Sequence, residues 1–166
     1  HCFFENNQEG CITFGDNETV GPESYVSHCI FKNNNGGVGS TKKSFIVENS
    51  LFEYNTNALL GNGHSSSGDQ YYKDCVFRNN TSSNALIRID HGKDILNCLF
   101  YENTSYNMGM VYLGTTWSGV SVVDHCTFYN NSCNYYTTGW YDHTGQVKNS
   151  IFVGESINNH ISGNQN

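Results

Sequence analysis

Two Asp-His pairs, Asp90-His91 and Asp142-His143, are the residues of this sequence best suited to acid–base chemistry. Paired carboxylates cleave glycosidic bonds, one as general acid and the other as general base or nucleophile. Each pair directly follows the second predicted strand of a repeating unit, two units apart. Stacked units would separate the carboxyl groups by ~10 Å, near the ~6.5–9.5 Å of inverting glycosidases. Asp and His next to a strand end are much more often turn residues on a solvated corner, and we therefore predict no catalytic residues.

Arginine and histidine side chains offer two further kinds of binding. Arg78 and Arg88 could hold an acidic sugar beside these carboxylates. His1 and His28 occupy equivalent positions of neighbouring units and could share a metal ion. Two histidines without a third ligand at fixed geometry form an incomplete zinc site, and other units place Asn or Asp there. We therefore expect solvent-facing polar side chains at these positions, with no metal and no cofactor.

Charge and hydropathy exclude several classes of partner. The formal net charge is −7 at pH 7, and Lys and Arg together number eight. Nucleic acids and anionic membranes attract clustered positive charge, which this sequence lacks, so we predict neither as a partner. No apolar run approaches the ~18 residues of a transmembrane helix. We expect one domain over residues 1–166, as a segment of a longer or processed protein.

The elements that must position these residues are copies of one phrase. In Cys75-Val76-Phe77-Arg78-Asn79-Asn80, a small residue, an apolar residue and Phe are followed by two variable positions and Asn. The Phe recurs at intervals of 21–28 residues, as Phe4, Phe31, Phe52, Phe77, Phe100, Phe128 and Phe152. The Asn recurs as Asn7, Asn34, Asn55, Asn80, Asn103 and Asn131. Self-similarity with this period is typical of solenoids and propellers.

Each unit supplies two or three short strands and no segment with helical periodicity. An apolar position five residues before the Phe predicts one strand, and a looser apolar segment after the Asn predicts another, ending for example at Val38, Leu59, Ile87 and Tyr141. The units are too short for propeller blades and lack the repeated Leu of leucine-rich repeats. We predict an all-β fold, a right-handed parallel β-helix of about seven rungs with 21–28 residues per rung.

Stacking gives the repeated positions distinct structural tasks. We expect the Phe rings to form a core stack and the Asn side chains to form a hydrogen-bonded ladder, in the left-handed conformation of a sharp corner. Five cysteines precede the Phe by two residues, where Ser50 and Ser150 stand in the other units. This interchange indicates a need for a small residue, so we predict five buried thiols without disulfides. Cys133 is the candidate for a reactive or paired thiol, and the state of Cys11 is left open.

The residue between Cys and Phe is the most informative about function. If Cys and Phe face inward, strand alternation turns this residue outward, and its apolar members include Ile30, Leu51, Val76, Leu99 and Ile151. A continuous outward apolar stripe is rarely left in contact with water. We predict a partner protein or another copy against it. The alternative is an inverted register, with the Phe side chains outside.

Aromatic residues and glycosylation sequons add two weaker signals. Tyr101 and Tyr129 follow the Phe, so alternation points them outward on neighbouring rungs, where they could contact a sugar or a protein. Sequons occur in the ladder, where modification conflicts with burial, and also at Asn17 in a predicted loop. We expect Asn17 to be the acceptor if the chain enters a secretory pathway.

The Phe-x-x-Asn pattern, together with Gly36-Gly37-Val38 and the partial copy Ala58-Leu59, resembles the repeats of polymorphic membrane proteins. More broadly, it is similar to the pectin-lyase-like β-helix superfamily. The resemblance covers nearly the whole chain in its Phe-x-x-Asn half. It implies an extracellular or cell-surface protein used for adhesion or as a spacer. We therefore expect a non-catalytic protein acting in adhesion, surface structure or lateral assembly; the alternative is a carbohydrate-active enzyme or a sugar-binding fragment.

Overall fold

The structure is a computed structural model. It describes residues 1–14, 24–40, 45–57, 59–62, 70–89, 94–107, 109–113, 121–133, 137–138, 145–154 and 161–162. Within these ranges the regular secondary structure consists of short strands, without a helix.

The strands form four sheets, each composed of one strand from successive repeats. The Phe sheet contains, in spatial order, β1 (Phe3–Glu5), β4 (Ile30–Lys32), β7 (Leu51–Glu53), β10 (Val76–Arg78), β14 (Leu99–Tyr101), β18 (Thr127–Tyr129) and β22 (Ile151–Val153). The second sheet contains β2 (Ile12–Phe14), β5 (Val38–Ser40), β8 (Leu60–Asn62), β12 (Ile87–Ile89), β16 (Val111–Leu113), β20 (Thr137–Thr138) and β23 (Ile161–Ser162). The third sheet contains β3 (Ser24–Ser27), β6 (Phe45–Glu48), β9 (Gln70–Lys73), β13 (Asp94–Leu96), β17 (Val122–Asp124) and β21 (Gln146–Lys148). A small fourth sheet contains β11 (Thr81–Ser82), β15 (Thr104–Ser105) and β19 (Ser132–Cys133).

Every strand pairing is parallel and joins equivalent positions of adjacent repeats. In the Phe sheet, Phe77 is in register with Phe52 on one side and with Phe100 on the other. The chain visits the Phe, second and third sheets in turn before it returns to the next strand of the Phe sheet. This arrangement is a β-solenoid with seven rungs in the Phe sheet, and it confirms the predicted all-β parallel fold.

The core lies between the three large sheets. From the third sheet, the column five residues before each Phe faces inward: Val47, Tyr72, Ile95 and Val123 are fully buried. The second sheet contributes Ile87 and other aliphatic side chains to the same cluster. A three-residue strand cannot bury an apolar face alone, so the core exists only because rungs stack.

Two turns per rung depend on a left-handed residue. One lies three residues before the Phe, at His28, Asn49, Asp74, Asn97, His125 and Asn149, with φ between 46° and 54°. The other lies two residues after the Phe, at Asn6, Asn33, Tyr54, Asn79, Glu102, Asn130 and Gly154. Asn, Asp and His are the non-glycine residues most enriched in this conformation, which explains the polar composition of both columns.

The left-handed conformation was predicted for the ladder asparagines themselves, and this prediction is wrong. The positive φ belongs to the preceding residue, for example Asn79 rather than Asn80. The corner therefore turns at Asn79, and the next side chain is directed into the interior, where Asn80 is fully buried.

The predicted register of the second sheet is wrong at two rungs. Leu60, rather than Leu59, is in register with Val38 and Ile87. In the sixth rung, Thr137 occupies the position predicted for Tyr141, and Tyr141 lies outside the described residues. Leu59, directly before strand β8, is nevertheless fully buried.

Candidate functional site

The Phe side chains turn inward and leave the alternate positions of their sheet facing outward. The rings form one continuous stack, with centroids of neighbours 4.5–5.0 Å apart and planes within 15° of parallel. The stack consists of Phe4, Phe31, Phe52, Phe77, Phe100, Phe128 and Phe152. The alternative register, with these rings outside, is excluded.

The asparagine column forms a ladder along one corner of the solenoid. The Asn80 side-chain amide donates to Asn103 Oδ1 at 2.9 Å and to the Phe52 carbonyl oxygen at 2.9 Å. In return, Asn80 Oδ1 accepts from the backbone and side-chain nitrogens of Asn55 at 2.9 and 3.0 Å. Equivalent side-chain bonds link Asn7, Asn34, Asn55, Asn80, Asn103 and Asn131. These asparagines are structural, and the sequons at Asn80 and Asn103 fall on buried amides.

The Cys/Ser column has a hydrogen-bonding task that the sequence interpretation missed. The Cys98 thiol donates to the Leu96 carbonyl oxygen, with Sγ and O 3.3 Å apart, and Ser50 Oγ donates to the Glu48 carbonyl oxygen at 2.8 Å. Each bond spans the left-handed turn before the strand. Position two before the Phe therefore requires a small side chain with a donor, and both Cys and Ser satisfy that requirement.

The cysteines are free thiols, as expected for most of this column. Cys29, Cys75, Cys98 and Cys126 are buried as predicted. The predicted burial of Cys2 is wrong: Cys2 is exposed because its rung lies at the edge of the Phe sheet. Hydrogen bonds with Cys126 and Cys75, together with burial, raise the pKa of the Cys98 thiol well above its ordinary value.

Cys11 and Cys133, which lie outside this column, are also free thiols and are partly buried. Burial raises the pKa of Cys11, although a hydrogen bond with Asn7 acts in the opposite direction. Cys133 lies in β19 rather than in a loop. Cys133 forms no disulfide bond, and its reactivity stays a prediction.

Outward positions of the Phe sheet form two parallel columns. The residues before the Phe, which we call the outer apolar column, are Phe3, Ile30, Leu51, Val76, Leu99, Thr127 and Ile151. Ile30 is 37 % exposed and Ile151 is 59 % exposed, and the four members between them are partly exposed. The structure therefore brings all five predicted partner-face residues together on one outer surface.

A charged column runs beside the outer apolar column, one residue after each Phe. It begins Glu5, Lys32, Glu53, Arg78 and continues with Tyr101, Tyr129 and Val153. Its third member, Glu53, has a side chain that is 8 % exposed although it faces away from the core. The signs alternate in the first four rungs, which is the signal in the sequence that could have revealed this column.

Glu53 is buried beneath its two cationic neighbours. Arg78 Nε donates to Glu53 Oε2 at 2.8 Å, a second guanidinium nitrogen contacts the same oxygen, and Lys32 Nζ lies 3.4 Å from Oε1. Burial alone would raise the pKa of Glu53, but hydrogen bonds and charge interactions with Arg78 and Lys32 outweigh it and lower that pKa. Arg78 also donates to the Tyr101 hydroxyl oxygen at 2.9 Å, and this bond with the one to Glu53 raises the Arg78 pKa.

The predicted catalytic and sugar-binding groups do not assemble into one described site. Asp90, His91, Asp142 and His143 lie outside the described residues.

The arginines proposed to hold an acidic sugar lie on different sheets. Arg78 belongs to the Phe sheet, where it is engaged by Glu53 and Tyr101. Arg88 belongs to the second sheet, with its guanidinium carbon 5.2 Å from the centroid of the Tyr112 ring. The two guanidinium groups therefore do not form a common anion clamp.

The remaining sequence candidates are placed as follows. The rings of His1 and His28 meet edge-to-face, with centroids 4.9 Å apart, and no group of three or more potential metal-ligating side chains occurs among the described residues. Asn17 lies outside the described residues. The part of the chain that is described contains no helix long and apolar enough to cross a membrane.

The architecture established for this chain is the parallel β-solenoid. Its function is therefore argued from the surfaces that its rungs create. Comparisons with protein-family models, with characterised proteins and with solved structures give no match for this chain.

Proposed function

We propose that this chain is a non-catalytic structural module that acts by lateral association through the outer face of its Phe sheet. The observation that carries the proposal is the outer apolar column, in which six of seven positions are strongly apolar although all face away from the core. Isolated apolar residues are common on protein surfaces, but a contiguous row favours an interface.

The partner that fits this face is a second copy of the same sheet. The first four members of the charged column, Glu5, Lys32, Glu53 and Arg78, carry −1, +1, −1 and +1, which sum to zero. The whole chain carries −7, so copies repel each other elsewhere and least at this face. Two such faces would place apolar column against apolar column in an isologous pair.

The resemblance to polymorphic membrane protein repeats supports an extracellular or cell-surface setting for this association. In that setting the module would serve adhesion, surface structure or filament assembly. Tyr129, 49 % exposed at one end of the face, extends the apolar surface with a ring suited to protein contacts.

The carbohydrate-active alternative has less support from the described residues. The guanidinium of Arg78 is already engaged by Glu53 and Tyr101, and Arg88 lies on a different sheet. Turnover of an acidic polysaccharide that is lost in Asp90→Ala would contradict the non-catalytic proposal.

The double variant Leu51→Lys/Leu99→Lys tests the proposal. Two cations inserted into the outer apolar column should abolish self-association, because their burial in an interface carries a large desolvation cost. Sedimentation velocity measures the association, and far-ultraviolet circular dichroism establishes that the β-rich fold is retained.

Ser83→Lys/Asn107→Lys is the matched control, since it adds the same charge at exposed positions outside the Phe sheet. This control should associate like the parent protein. A parent protein that stays monomeric at high concentration, or a Leu51→Lys/Leu99→Lys variant that associates normally, would contradict the assignment of this face.

A further inference from the structure

We propose that the groove beside Tyr54, on a corner of the solenoid next to the Phe sheet, binds a neutral oligosaccharide. The groove crosses the first three rungs and has a cavity volume of about 450 Å³. Its lining includes Gln8, Asn33, Asn35, Tyr54, Thr56 and Asn57, and the remaining residues belong to the asparagine ladder.

Tyr54 is unusual because a bulky residue occupies the left-handed position of the turn, and its side chain makes no contact with the described residues that would compensate for this conformation. Its φ is 55°, a value that is an outlier for a bulky side chain. Four of the six other residues in this turn column are Asn, and one is Gly. The Tyr54 side chain is half exposed, with no hydrogen bond or ring contact to the described residues. Backbone strain of this kind is retained where function requires the residue.

The groove presents exposed carboxamide groups next to this ring. Among the described residues, the side chains of Gln8 and Asn33 make no hydrogen bond within the protein. The Asn35 side chain is instead oriented by its neighbours. Its amide nitrogen donates to the backbone carbonyl oxygen of Gln8 at 3.0 Å. Its Oδ1 accepts from Thr56 Oγ1 at 3.4 Å and from the Asn57 side-chain amide. The groove thus combines free carboxamides with a preorganised one.

This combination fits a neutral sugar. The face of an aromatic ring attracts the weakly positive C–H edge of a pyranose, and carboxamides both donate to and accept from hydroxyl groups. Tyr54 is the only ionisable side chain among the described residues that line the groove. The carboxylate of a uronate would therefore lose its hydration in the groove without gaining a cationic partner. For this reason the groove favours uncharged hexoses.

This site is separate from the proposed association face. Tyr54 follows β7 at the corner, whereas the outer apolar column lies on the sheet itself. Glycan binding and lateral association can therefore be lost independently of each other. We expect Leu51→Lys/Leu99→Lys to leave glycan binding unchanged.

Isothermal titration calorimetry with cellohexaose, maltohexaose and mannohexaose tests the proposal, with hexagalacturonate as the acidic comparison. At least one neutral hexasaccharide should bind the parent protein. Tyr54→Asn should weaken that binding roughly tenfold or more, while relief of the backbone strain raises Tm by about 2–4 °C. Tyr54→Phe keeps the ring and should retain affinity within about threefold.

Glu102→Asn is the matched control, because Glu102 occupies the same left-handed position two rungs away. It should raise Tm in the same direction and leave binding unchanged. The proposal is overturned if no neutral hexasaccharide binds, if hexagalacturonate binds more tightly, or if Tyr54→Asn binds normally. A fall in Tm for Tyr54→Asn would likewise show that Tyr54 is a structural residue.

Discussion

Glu53 faces away from the core, yet its carboxylate is almost inaccessible to solvent. Lys32 and Arg78 cover it from the adjacent rungs, and Tyr101 holds the far end of the guanidinium. At the scale of single residues, the Phe sheet therefore carries an ordered charged column beside its apolar one. Because these side chains hold one another by ion pairs and hydrogen bonds, the proposed association would order few of them and so lose little side-chain entropy.

The pH dependence of stability reports the Glu53 ion pairs. The folded-state pKa of Glu53 is lowered, so its stabilising contribution is complete above the unfolded value of ~4.3. That contribution is lost as the pH falls through the folded-state pKa. Glu53→Gln should lower the free energy of unfolding by about 1–2 kcal/mol near neutrality.

Thermal unfolding of the parent protein and Glu53→Gln across the acid range measures this effect. The difference in Tm between them should shrink progressively as the solution is acidified. Glu102→Gln, at an exposed position, is the matched control and should leave Tm close to that of the parent protein near neutrality. A Glu53→Gln difference that is constant with pH would mean that the lost contacts are not ionic.

At the scale of the structural element, the asparagine ladder ties rung to rung more specifically than apolar stacking can. Each buried amide bonds the backbone of one neighbour and the side chain of the other. If the strands were shifted by one whole repeat, the apolar contacts along the stack would be kept, but each corner would follow a different loop. The ladder therefore sets the register of the rungs only together with those loops.

Asn80→Ala should lower the free energy of unfolding by about 2–5 kcal/mol, because it leaves the Asn55 backbone nitrogen without its acceptor and removes the side-chain donor to the Phe52 carbonyl oxygen in a dry corner. Denaturant unfolding measures the loss. Asn7→Ala is the matched comparison and should cost less, since Asn7 is exposed and water can replace its hydrogen bonds. Equal losses at the two positions would argue against a cooperative buried ladder.

At the scale of the whole molecule, association must overcome the repulsion between two acidic chains. Each copy carries −7 at pH 7, whereas the proposed contact face is neutral in its charged column and apolar in the other. Desolvation of the outer apolar column is then the driving force for the proposed association, and the long-range repulsion between the two negative net charges opposes it.

Raising the ionic strength from ~0.01 M to ~0.1 M should therefore strengthen self-association, because the screening length falls from ~30 Å to ~10 Å. Sedimentation equilibrium at several salt concentrations measures the trend. Weaker association in salt would show that ion pairs across the interface, rather than apolar burial, hold the copies together.

The repeated Phe and Asn determined the architecture from the sequence alone, since a residue type that recurs every 21–28 positions has to stack to be buried. Strand alternation also placed Leu51 and Leu99 outside, because side-chain direction follows from the two-residue period. The position of the left-handed residue, the choice of Leu60 over Leu59 and the exposure of Cys2 depended on how the chain bends between strands and which rung covers which. The Glu53–Arg78 pair and the Tyr54 groove likewise join residues more than twenty positions apart in sequence. Only the stacking of rungs brings such residues close together in space, and for that reason the tertiary structure alone decided these two arrangements.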